Sequence, residues 1–374
     1  MRVVVDVSAV PARPVGAGVY IVALSRGLNH AAEIDLHLLS RGDDANRWTT
    51  IAPGAVVHAV TPARRPLRLA WEQLSAPTLA NEIGTDVWHG PHYTLPLRVS
   101  SPTVVTVHDL TFFEHPEWHE RSKVAYFRRM IKASVGRADV VICVSAYTEA
   151  RLRAHCSPRG DVVVVPHGVD HARFHPVDDA AADLKILRRY GIEPPFIAFS
   201  GTIEPRKNLP SLVHAFARIA AAEPDLRLVL AGADGWGADA VRDAIATSGI
   251  ATHVQRPGYL DDDALTALFR QAVAVVYPSL EEGFGLPALE ALACGTPLIS
   301  TRGSAVEELA GDAAVLVTPG DVDALADAIA RVVTDHELRT RLSTDGLARA
   351  ATFTWERSVA GHLDAYRRAA KTKQ

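Results

Sequence analysis

Short β-branched runs alternate with longer stretches of helical period along almost the whole chain. The first half predicts strands at 2–7, 34–39, 55–60, 86–89, 103–107, 139–144 and 162–166. Helical patterns fall between them at 18–30, 69–82, 121–136 and 146–155. The second half repeats the alternation, with strands near 196–200, 226–231, 252–256, 273–277, 297–300 and 313–317. Its helices are expected near 180–190, 207–222, 237–248, 261–271, 287–294 and 321–333, and residues 355–371 read as a closing helix. Continuous apolar strands such as Val162–Val165 and Leu228–Ala231 suit parallel sheets covered on both faces. The expectation is an α/β protein with two doubly wound sheets.

The pattern is interrupted at 170–195 by Pro166, His175-Pro176, Asp178-Asp179 and Pro194-Pro195. This divides an N-terminal domain, residues 1–172, from a C-terminal one, residues 173–355. Residues 356–374 form a helix expected to pack back on the first domain. Open parallel sheets bind ligands beyond the C-terminal ends of their strands. Polar and glycine residues cluster there: Gly16-Ala17-Gly18, His89-Gly90, His108-Asp109, His167-Gly168, Gly201-Thr202, Gly232, Gly258-Tyr259 and Ser279–Gly283. Loops from two facing sheets would form an interdomain cleft.

At 374 residues, 48% hydrophobic and 22% charged, the chain is long enough for two cores. A net charge of −4 argues against a nucleic-acid binder driven by phosphate neutralisation. Cys143, Cys156 and Cys294 have no disulfide or zinc spacing, which fits a reducing cytoplasm. Residues 1–10 read as a strand rather than a signal peptide, and no apolar stretch is long enough to span a bilayer.

The most specific chemistry lies in YPSLEEGFGLPALEALACG, residues 277–295. A strand ends at Tyr277, Glu282-Gly283-Phe284-Gly285 turns, and Pro287 suits the first turn of a helix that carries Glu290. Helix-start N–H groups attract phosphate oxygens, and a carboxylate can accept from vicinal hydroxyls. Alone, two glutamates eight residues apart suit solvated or capping roles better; the Gly-Phe-Gly-Leu-Pro between them favours a ligand. In FSGTIEPRKNL, residues 199–209, Arg206 and Lys207 stand at the expected start of a helix. Cations oppose the dipole there, which invites an anionic ligand; a surface salt bridge with Glu204 is the other reading.

Together, GTIEPRKNL and EEGFGLPALE resemble family 4 of the retaining glycosyltransferases, whose fold is the two-Rossmann GT-B arrangement. Gly-x-Gly at 16–18, WHGPHYTLP at 88–96, VHDL at 107–110, VSAYT at 144–148 and PHGVD at 166–170 extend the resemblance over nearly the whole chain. It implies a nucleotide-diphosphate sugar as donor, with Arg206 and Lys207 on the diphosphate. Glu282 would read hydroxyls of the transferred sugar, and Glu290 the ribose. The base would lie against Arg256–Tyr259, including Gly258 and Tyr259, and His108 would reach the donor sugar across the cleft. Gly16, Gly18, Gly201 and the Gly283, Phe284, Gly285 and Leu286 backbone complete the donor site. The catalytic set is then His108, Arg206, Lys207 and Glu282. Two departures stand out: Val19-Tyr20 replaces the usual Arg-Tyr after Gly-x-Gly, and Thr202 stands where many members have arginine.

The resemblance also implies retention of configuration without a metal. The acceptor hydroxyl attacks the face from which the diphosphate departs. A double displacement would need a nearby carboxylate, for which Asp109 and Glu282 are the options. GDP-mannose is the first choice of donor, and a glycan or lipid-linked acceptor of cell-envelope synthesis the expected partner. A nucleotide-sugar epimerase and a non-catalytic sugar-binding protein are the alternatives. A nicotinamide dehydrogenase is disfavoured by Ile21, which occupies the third glycine position of GxGxxG.

Asp261-Asp262-Asp263 reads as a helix cap before it reads as a metal site, and His89, His92 and His167 lack diagnostic metal spacing. Residues 121–137 place six cations around Val124, Tyr126, Phe127, Met130 and Ile131, and Arg64–Trp71 is similarly mixed. Such segments suit peripheral contact with an anionic membrane at the inner face of the plasma membrane; a helix packed on the sheet with a solvated outer face is the plainer reading.

Overall fold

A computed structural model describes residues 1–372. Internal contacts divide the chain into two compact units: Met1–Gly168 with the segment from Trp355 onward, and Val169–Thr354.

The first unit holds a seven-stranded parallel sheet: β1 (Arg2–Asp6), β2 (Asp35–Arg41), β3 (Val56–Thr61), β4 (Val87–Gly90), β5 (Thr103–Val107), β6 (Val140–Cys143) and β7 (Asp161–Val164). Their order is β3-β2-β1-β4-β5-β6-β7. Alternate residues serve opposite faces. Val3, Val5, Val104, Val140 and Ile142 join one apolar cluster, and Val4, Val105, Val107, Val141 and Cys143 join the other. That is why these strands are apolar throughout. The closing helix, Trp355–Lys371, buries Ser358, Val359, His362, Ala365, Tyr366 and Ala369 in the first cluster's layer, beside the helix Ala17–Leu28.

The second unit holds a six-stranded parallel sheet: β8 (Phe196–Ser200), β9 (Arg227–Ala231), β10 (Val254–Gly258), β11 (Ala274–Tyr277), β12 (Leu298–Thr301) and β13 (Ala314–Val317). Their order is β10-β9-β8-β11-β12-β13. In each sheet the chain reverses its direction of winding once, between β1 and β4 and between β8 and β11. Such switch points open a crevice at the strands' C-terminal ends.

The helices differ from the sequence expectation in places. The stretch expected at 69–82 is two helices, Arg65–Leu74 and Ala76–Ile83. Four unexpected helices appear at Ala45–Ile51, Thr111–Glu114, Ala305–Ala310 and His336–Ala350.

The helix Arg121–Arg137 buries Phe127, Met130, Ile131, Ser134 and Val135 and leaves Arg121, Arg129 and Lys132 exposed. No helix of the described residues is long and apolar enough to cross a membrane.

Candidate functional site

In the second unit, the loops after β8 and β11 meet at the switch point. Beyond Ser200 the chain makes one 3-10 turn, Pro205–Lys207, then Asn208 takes a left-handed conformation (φ +51°) before the helix Leu209–Ile219. Arg206 and Lys207 therefore precede the helix rather than start it, contrary to the expectation. Pro210 explains this, because its ring would clash with the carbonyl of residue 206 if the helix ran back that far. Outside the helix, the Arg206 carbonyl accepts the Leu280 N–H at 2.9 Å, which ties the two loops together.

The side chains then converge. Lys207 Nζ donates to Glu282 Oε1 at 2.6 Å and to the Tyr277 hydroxyl at 2.7 Å, and lies over the Tyr277 ring. Arg206 bonds the other Glu282 oxygen, the Glu281 carbonyl at 3.1 Å and Glu204 at 2.7 Å. The salt bridge to Glu204 and the pairing with Glu282 thus coexist. Lys207 and Glu282 are buried, so neither glutamate-as-solvated-residue nor lysine-as-surface-residue describes them. Burial alone would raise the Glu282 pKa, but Arg206 and Lys207 outweigh it and hold the carboxyl at about 2. Burial and the neighbouring guanidinium pull Lys207 below its usual value, while Glu282 pushes it back up. A carboxylate so held is permanently ionised and of low basicity: an acceptor for hydroxyls and a weak nucleophile. Lysine has three N–H groups, and two are spent here, leaving one donor in a nearly dry site.

Sequence reasoning missed Tyr277 as a member of this cluster. The available signal was a lone hydroxyl ending the otherwise aliphatic strand AVVY.

After Glu282 the backbone turns through Gly283, Phe284 and Gly285 into the helix Leu286–Ala293. Gly285 has φ +99°, and a β-carbon there would lie 2.7 Å from Val306, so only glycine makes this turn. The Phe284 side chain packs edge-on against Phe353. Glu290 follows one turn into the helix. It is half-buried, and its carboxyl has no hydrogen-bond partner among the described residues. Burial raises its pKa to about 7, with Arg173 opposing the rise.

Gly201 and Gly232, which follow β8 and β9, and Gly258, which ends β10, form a packed layer. The Gly232 N–H donates to the Gly258 carbonyl at 2.7 Å, and a β-carbon on Gly232 would lie 1.9 Å from the Gly201 carbonyl oxygen. Tyr259, next along, is 41% exposed. Asp261 caps the helix Asp262–Gln271, accepting the Ala264 N–H at 2.9 Å, and also accepts from Tyr190. Among the described residues, no three His, Cys, Asp or Glu side chains converge as a metal ion would require.

The remaining candidates belong to the first unit. Gly16 and Gly18 open the helix Ala17–Leu28 after β1. His108 follows β5, is 9% exposed, and donates from Nε2 to the Pro91 carbonyl at 2.8 Å. A carbonyl only accepts, so Nε2 carries the proton and Nδ1 presents a lone pair. Burial lowers the His108 pKa, keeping the ring neutral. Its neighbours are the rings of Tyr20, His92, Tyr93 and His167. Asp109 is engaged locally, accepting from the Thr111 N–H and hydroxyl.

Comparison with known proteins identifies the family. The family model described as Glycosyltransferase Family 4 matches residues 14–173, and that described as Glycosyl transferases group 1 matches residues 185–349. The chain is 31% identical to the O-antigen chain mannosyltransferase B of Escherichia coli over 284 residues, covering 75% of this chain and 74% of that protein. It is 30% identical to the D-inositol 3-phosphate glycosyltransferase of Acidothermus cellulolyticus over 391 residues, covering 94% and 85% respectively. The sucrose-phosphate synthase of Thermosynechococcus elongatus shares the fold, with a TM-score of 0.81 at 24% identity over 98% of both chains. With matches in both halves and relatives of this similarity, the chain belongs to the family 4, group 1 glycosyltransferases of GT-B fold.

Proposed function

We propose that this glycosyltransferase is a retaining, metal-independent mannosyltransferase that takes GDP-mannose and extends a glycan or lipid-linked acceptor of the cell envelope. The observation that carries the reading is the buried Lys207–Glu282–Arg206 cluster at the β8/β11 switch point. Its uncommitted Lys207 N–H and the Arg206 charge suit a departing diphosphate, and preorganised donors of this kind contribute strongly to transition-state stabilisation. Glu282 supplies a fixed acceptor for hexose hydroxyls, and Glu290 one for ribose. His108, neutral with a bare Nδ1, takes a hydrogen bond from a hydroxyl of the donor sugar. The acceptor hydroxyl attacks the face the diphosphate leaves and passes its proton to the leaving phosphate oxygen. The low basicity of Glu282 and the local bonding of Asp109 favour this route over double displacement. The choice of mannose follows the O-antigen relative.

Exposed Leu67 and Leu74 on one helix, with Arg121, Arg129 and Lys132 exposed on another, support peripheral contact with anionic lipid on the cytoplasmic side. The test of the donor is a thermal-shift panel of GDP-, UDP-, ADP- and dTDP-sugars, followed by transfer assays with and without EDTA. GDP-mannose should stabilise most, and transfer should give an α-mannoside in the presence of chelator. Preference for another nucleotide, inversion, or chelator-sensitive activity would each overturn that part of the reading, and isomerised donor without acceptor would indicate an epimerase.

A further inference from the structure

The closing helix enters the first unit's core through a buried chain of five hydrogen bonds. Its direction can be read from one end. His362 Nδ1 lies 2.7 Å from the Ser358 carbonyl, which only accepts, so Nδ1 carries the proton. On a neutral ring, Nε2 is then a bare acceptor, and the Tyr20 hydroxyl at 2.8 Å must donate to it. The Tyr20 oxygen in turn accepts from the Thr106 hydroxyl at 2.9 Å. The Thr106 oxygen accepts from His89 Nε2 at 2.9 Å, and His89 Nδ1 accepts from the Tyr366 hydroxyl at 2.8 Å. The Tyr20 and Thr106 hydroxyls each give one proton and take one, the Tyr366 hydroxyl gives one, and both imidazoles have a defined tautomer. All five side chains are fully buried, so none can turn to water for a replacement partner.

Tyr20 is the joint between this chain and the candidate site. Its ring meets His108 edge-on at 5.2 Å between centroids and lies against His167 at 4.6 Å. It also sits in the first turn of the helix opened by Gly16 and Gly18. Among the described residues the His108 ring makes one hydrogen bond, to Pro91, and otherwise only ring packing sets its tilt.

We infer that His362 is a positioning residue for His108, acting through the hydroxyl and ring of Tyr20, so that the C-terminal helix completes the first unit's part of the site. Its Nε2 holds the Tyr20 hydroxyl, the held hydroxyl stops the side chain from swinging away about Cα–Cβ, and the ring sets the angle at which His108 presents Nδ1. The inference rests on the proposed contact between His108 and the donor sugar.

Tyr20→Phe is the first variant, because it keeps the ring and cuts the chain at its joint. His362→Leu removes the acceptor, and His362→Gln restores one near the position of Nε2. Measured on the full-length protein are melting temperature, kcat and KM for GDP-mannose, and the His108 ring signals by carbon–proton NMR, assigned with His108→Gln. Tyr20→Phe and His362→Leu should lower kcat by roughly tenfold to a hundredfold and shift the His108 signals, whereas His362→Gln should recover both. A melting temperature that falls while kcat and the His108 signals stay put would overturn the inference and leave the chain purely structural. A shifted His108 signal in Tyr20→Phe, with full activity in His108→Gln, would instead overturn the assigned role of His108 while upholding the coupling. Should His362→Leu fail to fold, Tyr20→Phe alone decides, since it changes no packing volume beyond one oxygen.

Discussion

Lys207 and Glu282, 75 positions apart in the chain, lie 2.6 Å apart, Nζ to Oε1, with both side chains out of water. The ammonium faces two demands, the carboxylate and whatever anion enters the site. Four expectations about this site and its surroundings can be tested.

Lys207→Ala removes one donor to the diphosphate but leaves Glu282 paired with Arg206. Affinity for GDP and GDP-mannose should fall by about 1.5–3 kcal/mol, the loss typical of a charged hydrogen bond, without unfolding. Calorimetric titration and a circular dichroism melt check this. Unchanged affinity and turnover would remove Lys207 from the donor site.

Glu282→Gln has the opposite electrostatic sense. It leaves Arg206 and Lys207 short of a counter-charge, and breaking buried pairs this way costs about 3 kcal/mol or more. The ligand-free melting temperature should drop, and GDP should raise it further than in the parent, because the diphosphate replaces the missing charge. GDP binding survives while turnover of GDP-mannose is lost. Equal losses for GDP and GDP-mannose would mean that Glu282 does not read the sugar.

Glu290 has a pKa raised to about 7 by burial, so it gains its charge as pH rises through neutrality. If the ionised form accepts from ribose, affinity for GDP-mannose should increase from pH 6 to pH 8. The sugar nucleotide has no phosphate group titrating in that interval. Glu290→Gln should weaken binding and flatten the profile; a parent profile already flat would detach Glu290 from the ribose.

Acid should loosen the first unit before neutral-pH contacts fail. Burial holds His362 at about 4 and His89 well below its ordinary value, both neutral in the fold. As pH falls below about 6.5 the unfolded chain takes up protons that the folded one refuses, so stability is full above that pH and declines toward pH 4. For His362 the decline amounts to about 3 kcal/mol at most. Melting temperatures measured from pH 7 to pH 4.5 should fall more steeply in the parent than in His362→Gln, and parallel slopes would contradict the assignment.

Much of this architecture was readable in one dimension. All thirteen strands fall within two or three residues of their expected ends, and central ones such as Val140–Cys143 and Ala274–Tyr277 are apolar or buried at every position because both faces are covered. Helices with a one-sided apolar stripe were equally visible. Ala45–Ile51 was not: its sequence, ANRWTTI, has poor helical propensity, and the burial of Trp48 supplies what local preference lacks. Arg206, Lys207 and Glu282 were named from motif, yet their mutual bonding was not, and Tyr277 went unnoticed among strand residues.

The sequence by itself determined the α/β class, the two sheets and the residues worth watching, since periodicity and turn chemistry are local properties. Only the tertiary structure decided that Glu282 is clamped by Arg206 and Lys207, because winding β8 beside β11 brings together loops remote along the chain. It likewise decided that His362 and Tyr366 complete a hydrogen-bond chain with His89, Thr106 and Tyr20. Distances between such groups depend on strand order and helix packing. Those arise from covering both faces of a sheet at once, a condition no single segment can express.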